Sequence, residues 1–288
     1  MDISGKTRLL GLIGSPVGHS KSPAMYNYSF DLLDMDCKYL AFDIQKDQVA
    51  DAISAMRTLN MKGGNVTMPC KGAVCEFMDE LSPAARIIGA CNTIVNDNGK
   101  LIGHITDGQG YVRNLKENGV EIKDKKITIL GAGGAATAIQ VQCALDGARE
   151  ISIFNKKDDF FKKAEKTVED IRKEVPGCIV NLYDLDDTDK LYEEIKNSDI
   201  LTNATLVGMK PNEHETIISD TSVYRKELIV TDIVYNPEKT KMLLDAETKG
   251  CKVIGGKGML LYQGVEAFKL YTGKDMPVEE VKAKYFAE

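Results

Sequence analysis

Runs rich in Leu, Ile and Val alternate with helix-periodic stretches along almost the whole chain, the pattern that parallel βαβ units produce. "RLLGLIG" (8–14) predicts a first strand, followed by a helix from Ser22 to Leu33. "KYLAFDI" (38–44) predicts a second strand, "KDQVADAISAMRTL" (46–59) a second helix and "KGGNVTM" (62–68) a third strand. In "CNTIVNDNGKLIGHITD" (91–107) the "NDNG" run suits a hairpin turn between two short strands, and a helix from Gly108 to Asn118 leads away. "KKITILGAGGAATAIQVQCALDGAREISIFN" (125–155) restarts the alternation with a glycine-rich loop, and further strands are predicted at 199–203, 228–233 and 252–254. The change of loop type places a domain boundary near residue 108. The expected fold is two-domain α/β: an amino-terminal α/β substrate-binding domain over 1–108 and a Rossmann-type dinucleotide-binding domain over 109–256.

A length of 288 residues with 43% apolar content is ample for two packed cores. The 43 acids and 37 bases are mixed along the chain and leave a formal charge of −6 without a basic block, which argues against nucleic-acid and anionic-membrane partners. No apolar run reaches the roughly 18–20 residues of a spanning helix, and "MDISGKTRLLGLIGSP" has too short an apolar stretch for a signal peptide; a cytoplasmic location is expected. The seven cysteines, Cys37, Cys70, Cys75, Cys91, Cys143, Cys178 and Cys251, contain no Cys-x-x-Cys pair, so reduced thiols are expected, most of them small core residues. The three histidines lie far apart and no His/Cys cluster has ligand spacing, so no metal is expected.

"ITILGAGGAATA" sets Gly131, Gly133 and Ala136 in the G-x-G-x-x-G/A spacing between a predicted strand and a predicted helix. In a dinucleotide-binding fold the first glycine makes a tight turn, the second admits pyrophosphate to the backbone, and the small third residue packs the helix on its strand. The helix start then offers N–H groups and a partial positive charge to phosphate. The same spacing also occurs as a plain structural turn. The next strand, "EISIFN", runs into "NKKDD", where a ribose-recognising residue belongs. Asp158 there argues for NAD, whereas Lys156 and Lys157 would suit the 2′-phosphate of NADP.

Hydride transfer at a carbon bearing a hydroxyl also needs a proton carrier. Lys71, at the end of "NVTMPCK", Asn92 in "CNT" and Asp107 in "HITDG" sit at predicted strand ends, where ligands gather in open α/β sheets. A lysine there can exchange the proton while a nearby carboxylate orients it. The plain alternatives are a solvated loop lysine and an Asp107 that caps the next helix. In "GSPVGHSKSPAMYN" (14–27) Ser20 and Ser22 precede Pro23 at a helix start, so their hydroxyls suit either a substrate carboxylate or simple capping. His19 in the same run reads as a residue that holds the loop.

Taken together, "GSPVGHSKSPAMYN", "NVTMPCK", "GACNTI", "ITDG", "GAGGAA", "NATLVGM" and "GMLLYQG", in this order from residue 8 to 272, resemble the signature motifs of shikimate dehydrogenases. "NKKDDFF" and "YTGKDMP" further resemble the quinate/shikimate branch, which accepts both polyols and uses NAD as well as NADP. The resemblance implies that Lys71 and Asp107 form the catalytic pair, with Lys71 the acid/base. It implies that Ser20 and Ser22 hold the substrate carboxylate, that Thr67, Asn92 and Gln263 bind ring hydroxyls, that Thr106 is substrate-binding, and that Tyr39 and Tyr235 are substrate neighbours. The cofactor would lie along Gly131, Ala132, Gly133, Gly134 and Ala135, the tip Asn155, Lys156 and Asp158, then Thr205, Val207, Met209, Asp232, Gly255 and Met259. Carboxyl-terminal helices over 257–288 would return to the first domain so that Gln263 faces the substrate.

The implied reaction is reversible NAD(P)-dependent oxidation of shikimate, and of quinate, by a monomer or homodimer serving aromatic amino acid biosynthesis. One departure stands out: the family usually reads Asn-Thr-Asp-Gly, and here Ile105 replaces the amide, removing up to four hydrogen-bonding sites. Two rival readings are a dehydrogenase for an amino-substituted shikimate analogue and a non-catalytic dinucleotide sensor.

Overall fold

Unbroken apolar sequence makes β1 (Arg8–Gly14) an interior strand, buried from Leu10 to its end. A computed structural model describes residues 2–286, and the chain divides into two units, Met1–Thr106 with Gln263–Glu288, and Asp107–Tyr262. In the first unit β1 is followed by α1 (Ser22–Leu32), β2 (Cys37–Asp43), α2 (Val49–Thr58), β3 (Gly63–Val66), β4 (Glu80–Leu81), α3 (Pro83–Ile88), β5 (Thr93–Asp97) and β6 (Lys100–His104). Its sheet has the order β2-β1-β3-β5-β6-β4.

The βαβ pattern holds for β1, β2 and β3, which run parallel, while the predicted hairpin makes β5 antiparallel to both β3 and β6. Register then decides what shares an edge. Gly14 pairs with Asp43, Ile13 with Val66, Asn65 with Thr93, and Thr93 with His104. The carboxyl ends of β1, β2, β3 and β6 and the start of β5 therefore lie together.

The second unit opens with α4 (Asp107–Glu117) and continues through β7 (Lys126–Leu130), α5 (Gly134–Leu145), β8 (Glu150–Asn155), α6 (Asp159–Glu174) and β9 (Ile179–Asp184). It is completed by α7 (Thr188–Lys196), β10 (Ile200–Asn203), β11 (Ile229–Asp232), α8 (Lys241–Thr248) and β12 (Lys252–Ile254). All six strands are parallel in the order β12-β11-β10-β7-β8-β9, the doubly wound arrangement in which the order of winding reverses between β7 and β10. Its core includes Leu130, Phe154, Leu201, Val230 and Leu243, each at most 1% exposed.

α9 (Lys257–Thr272) and α10 (Val278–Tyr285) end the described chain. From Gln263 onward the residues belong to the first unit: the Tyr26 hydroxyl donates to the Gly264 carbonyl at 3.1 Å, and Phe268 stacks on Phe30 with ring centroids 5.5 Å apart.

α4 and α5 approach so closely that a Cβ on Gly108 would lie 2.3 Å from the Ala138 carbonyl oxygen and 2.6 Å from Gln142 Cβ. Gly108→Ala must push the helices apart, and urea denaturation is expected to show the variant less stable by about 1–3 kcal/mol. A midpoint equal to the parent's would contradict this packing.

Candidate active site

Two loops meet at the shared edge of the first sheet because their backbones are cross-bonded. Thr67 N–H donates to the Ile13 carbonyl at 2.9 Å, and Ser15 N–H to the Met68 carbonyl at 2.9 Å. Gly14, with φ +147°, permits this: a Cβ there would sit 2.4 Å from Thr67 Cγ2. The loop after β1 carries Ser20 and Ser22, and the loop after β3 carries Thr67 and Lys71. Ser22 is the first residue of α1, whose cap position, Lys21, makes no side-chain capping bond; Ser22 N–H instead donates to Ser20 Oγ at 3.2 Å. Plain capping therefore does not occupy the Ser22 hydroxyl.

Lys71 is not at a strand end as expected. β3 stops at Val66, ahead of Pro69, which has no N–H for a ladder, and Lys71 falls in the turn that follows. Asp107 likewise is the first residue of α4, beyond the end of β6 at His104. The Lys71 turn is still fixed, because its carbonyl accepts Cys91 N–H at 2.8 Å, beside Asn92.

Asn92 is 3% exposed and organises the edge. Its Oδ1 accepts from Thr106 N–H at 2.8 Å and from Thr93 Oγ1 at 2.9 Å, and its Nδ2 donates to Thr106 Oγ1 at 3.1 Å. Behind it, Asn65 Nδ2 donates to the Asn92 carbonyl at 3.2 Å, and Tyr39 OH donates to Asn65 Oδ1 at 2.8 Å. Tyr39, expected to neighbour the substrate, is instead wholly buried against Tyr26, and its hydroxyl acts through Asn65. Asn65 and Thr93 escaped the sequence reading; the signal was an amide inside the glycine and apolar strand "KGGNV", since a buried amide requires partners. Ile105 is 5% exposed and packs as a core residue, and Thr106 is held by Asn92 without help from the missing amide.

In the second unit, Gly131 leaves β7 at φ +109°, and a Cβ on it would lie 2.9 Å from both the Ala204 carbonyl oxygen and Thr205 Cγ2. Only glycine fits there. Gly133 then caps α5 without a side-chain bond and no acid occupies the first turn, so the helix start over Gly134 and Ala135 is suited to phosphate. Ala136 is fully buried, as helix-on-strand packing requires, and Ala132 is 4% exposed. These features fit a dinucleotide. At the end of β8, Asn155 is buried and donates to Asp158 Oδ1 at 2.9 Å, while the same oxygen accepts Phe160 and Phe161 N–H as the cap of α6. Lys156 is exposed beside it, and Lys157 pairs with Asp184 at 3.4 Å.

Asn203, also missed, ends β10 and shapes the next loop. Its Oδ1 accepts Thr205 N–H and Oγ1, and its Nδ2 donates to the Val207 carbonyl and to Asp232. Asp232, expected along the cofactor, is 2% exposed; it accepts from Asn203, Val234 N–H and Thr240 Oγ1 and so ties two strand-end loops from beneath. Burial pushes its carboxyl up to about 6. Met209 and Tyr235 are exposed, and Gly255 and Met259 partly so.

Two family profiles match the chain: the shikimate dehydrogenase substrate binding domain over residues 12–94 and the shikimate 5'-dehydrogenase C-terminal domain over residues 256–284. The shikimate dehydrogenase (NADP(+)) of Listeria monocytogenes serotype 4b (strain F2365) is 51% identical over 284 residues, covering 99% of this chain and 97% of that protein. The crystal structure of shikimate 5-dehydrogenase from Listeria monocytogenes in complex with shikimate and NAD superposes with a TM-score of 0.95 at 51% identity, over 98% of each chain. Quinate dehydrogenase from Corynebacterium glutamicum in complex with NAD gives a TM-score of 0.85 at 29% identity, over 97% of this chain and 99% of that one. Among the described residues no group of three or more His, Cys, Asp and Glu could hold a metal, and no helix is long and apolar enough to cross a membrane.

The raised Asp232 carboxyl makes stability pH-dependent. The unfolded aspartate ionises near 3.8 and the folded one near 6, so its contribution is intact below about pH 4 and is lost as pH rises to about 6. Relative to Asp232→Asn, the parent should lose about 2 kcal/mol of unfolding free energy between pH 4 and 6.5, as read by urea titrations. A difference that does not change with pH would refute this.

Proposed function

We propose that this chain, which belongs to the shikimate dehydrogenase family, oxidises shikimate to 3-dehydroshikimate reversibly with NADP or NAD, and quinate likewise. The observation that carries the reading is the cross-bonded edge of the first sheet, which fixes Ser20, Ser22, Thr67, the Lys71 turn and Asn92 on adjoining segments. Quinate is included because of the likeness to a quinate dehydrogenase.

In this reading the Ser20 and Ser22 hydroxyls receive the substrate carboxylate. Ser20 Oγ already accepts Ser22 N–H, which leaves its own proton to donate outward. Thr67, Asn92 and Gln263 bind ring hydroxyls, Tyr235 is a substrate neighbour, and the buried Thr106 acts through Asn92. Lys71 takes the proton of the reacting hydroxyl during oxidation and returns it during reduction, with Asp107 as its carboxylate partner. The nicotinamide, when bound, takes up or returns the hydride. Its phosphates are received by Gly131 to Ala135, and its adenosine ribose by the tip from Asn155 to Asp158, where Asp158 suits a hydroxyl and Lys156 a 2′-phosphate.

A steady-state matrix of shikimate and quinate against NAD and NADP tests the activity; no turnover in any combination refutes it. Lys71→Ala should lower kcat by roughly 10² or more with little change in cofactor Kd. Near-parental turnover would remove Lys71 from the mechanism. Asp158→Ala should weaken NAD more than NADP, although loss of the α6 cap costs about 1 kcal/mol of stability in either case. Equal weakening of both cofactors would place the ribose contact elsewhere.

A further inference from the structure

Cys75 and Cys91 are a pair rather than two isolated core thiols: their Sγ atoms are 3.4 Å apart. Cys75 is partly exposed on the short turn Ala73–Phe77, and Cys91 is buried at the entry to β5. The other five cysteines are no more than 7% exposed. The space that Cys91 Sγ occupies exists because residue 103 is glycine; a Cβ there would lie 2.5 Å from the sulfur.

Both cysteines are joined to Lys71. Its carbonyl accepts Cys91 N–H at 2.8 Å and Cys75 Sγ–H at 3.7 Å. The Cys91 thiol donating to Cys75 lowers the Cys75 pKa and raises that of Cys91, which gives the exposed sulfur thiolate character and leaves its partner protonated.

We propose that Cys75 and Cys91 form a reversible oxidation site that takes hydroperoxides, and that the resulting disulfide slows turnover by shifting the Lys71 turn. The Cys75 thiolate attacks one peroxide oxygen; the O–O bond breaks, hydroxide leaves and Cys75 becomes a sulfenic acid. Cys91 sulfur then attacks Cys75 sulfur; the S–S bond forms, the S–O bond breaks, and the oxygen leaves as water with the Cys91 proton. Two thiols and one hydrogen peroxide thus give one disulfide and two waters. The two sulfurs must draw together, pulling the turn Ala73–Phe77 toward β5. Displacement of a reacting group by about 1 Å can cost 10²-fold in rate, so a loss of roughly tenfold or more is expected.

The catalytic consequence rests on Lys71 carrying the proton; formation of the disulfide does not. The full chain is treated with a small molar excess of hydrogen peroxide, and thiols are then counted in denaturant. The count should fall from seven to five, peptide mapping should find Cys75 joined to Cys91, and shikimate oxidation should slow and recover with dithiothreitol. Cys75→Ser, with Cys75→Ala as a second variant, should keep its activity, form no cross-link and resist the oxidant. Unchanged thiols, a different cysteine pair, over-oxidation without a cross-link, or a Cys75–Cys91 disulfide with unchanged turnover would each overturn the proposal. Failure of the reduced protein to oxidise shikimate would refute the proposed function instead, and the thiol count and peptide map would still decide whether the disulfide forms.

Discussion

The bond from Thr106 N–H to Asn92 Oδ1 is the constraint on which the first unit's edge depends. Thr106 is the last residue of the first unit's amino-terminal segment, fully buried, and its N–H has left the β5–β6 ladder. Without Asn92 that donor would be desolvated and unpaired, at a cost of about 1–3 kcal/mol. Asn92 in turn is oriented by Thr93 and by the Asn65 amide that grips its carbonyl, with Tyr39 behind. A chain of buried polar groups, each satisfied by the next, thereby sets where the peptide leading to Asp107 departs.

The second unit uses the same logic at its switch point. Gly131 removes a side chain where β7 and the loop after β10 nearly touch, and Asn203 and Asp232 bond the loops after β10 and β11 to each other from below. The segment from Gly131 to Ala135, proposed to receive the cofactor, is thus backbone and small side chains, while the more elaborate hydrogen bonding lies one layer deeper. Holding a buried carboxylate there costs free energy, which its neutral donors only partly offset.

Much of this was legible in sequence because its causes are local. Apolar runs delimited β1, β8 and β12 to within a residue, "NDNG" marked the hairpin, and the glycine spacing marked the turn after β7. What escaped was set by partners distant along the chain. Ile179–Asp184 is only partly buried outside Val180, lies at the sheet edge and is interrupted by Asn181, so β9 had no apolar run to announce it. Tyr39 reads as a substrate neighbour until Tyr26 of α1 covers it. Asp158 reads as a ribose ligand, yet its first structural task is to cap α6.

Because the first unit is built from Met1–Thr106 and Gln263–Glu288, its aromatic core waits for residues translated after the second unit. Phe268 and Tyr271 pack on Tyr26 and Phe30, so the nascent amino-terminal segment leaves the ribosome with those faces uncovered. The inserted unit, Asp107–Tyr262, is contiguous and has all six of its strands in hand before those aromatics emerge. The usual vectorial order, amino-terminal body first, is thus open to inversion: the contiguous unit can close its core while apolar faces of the first still lack their cover.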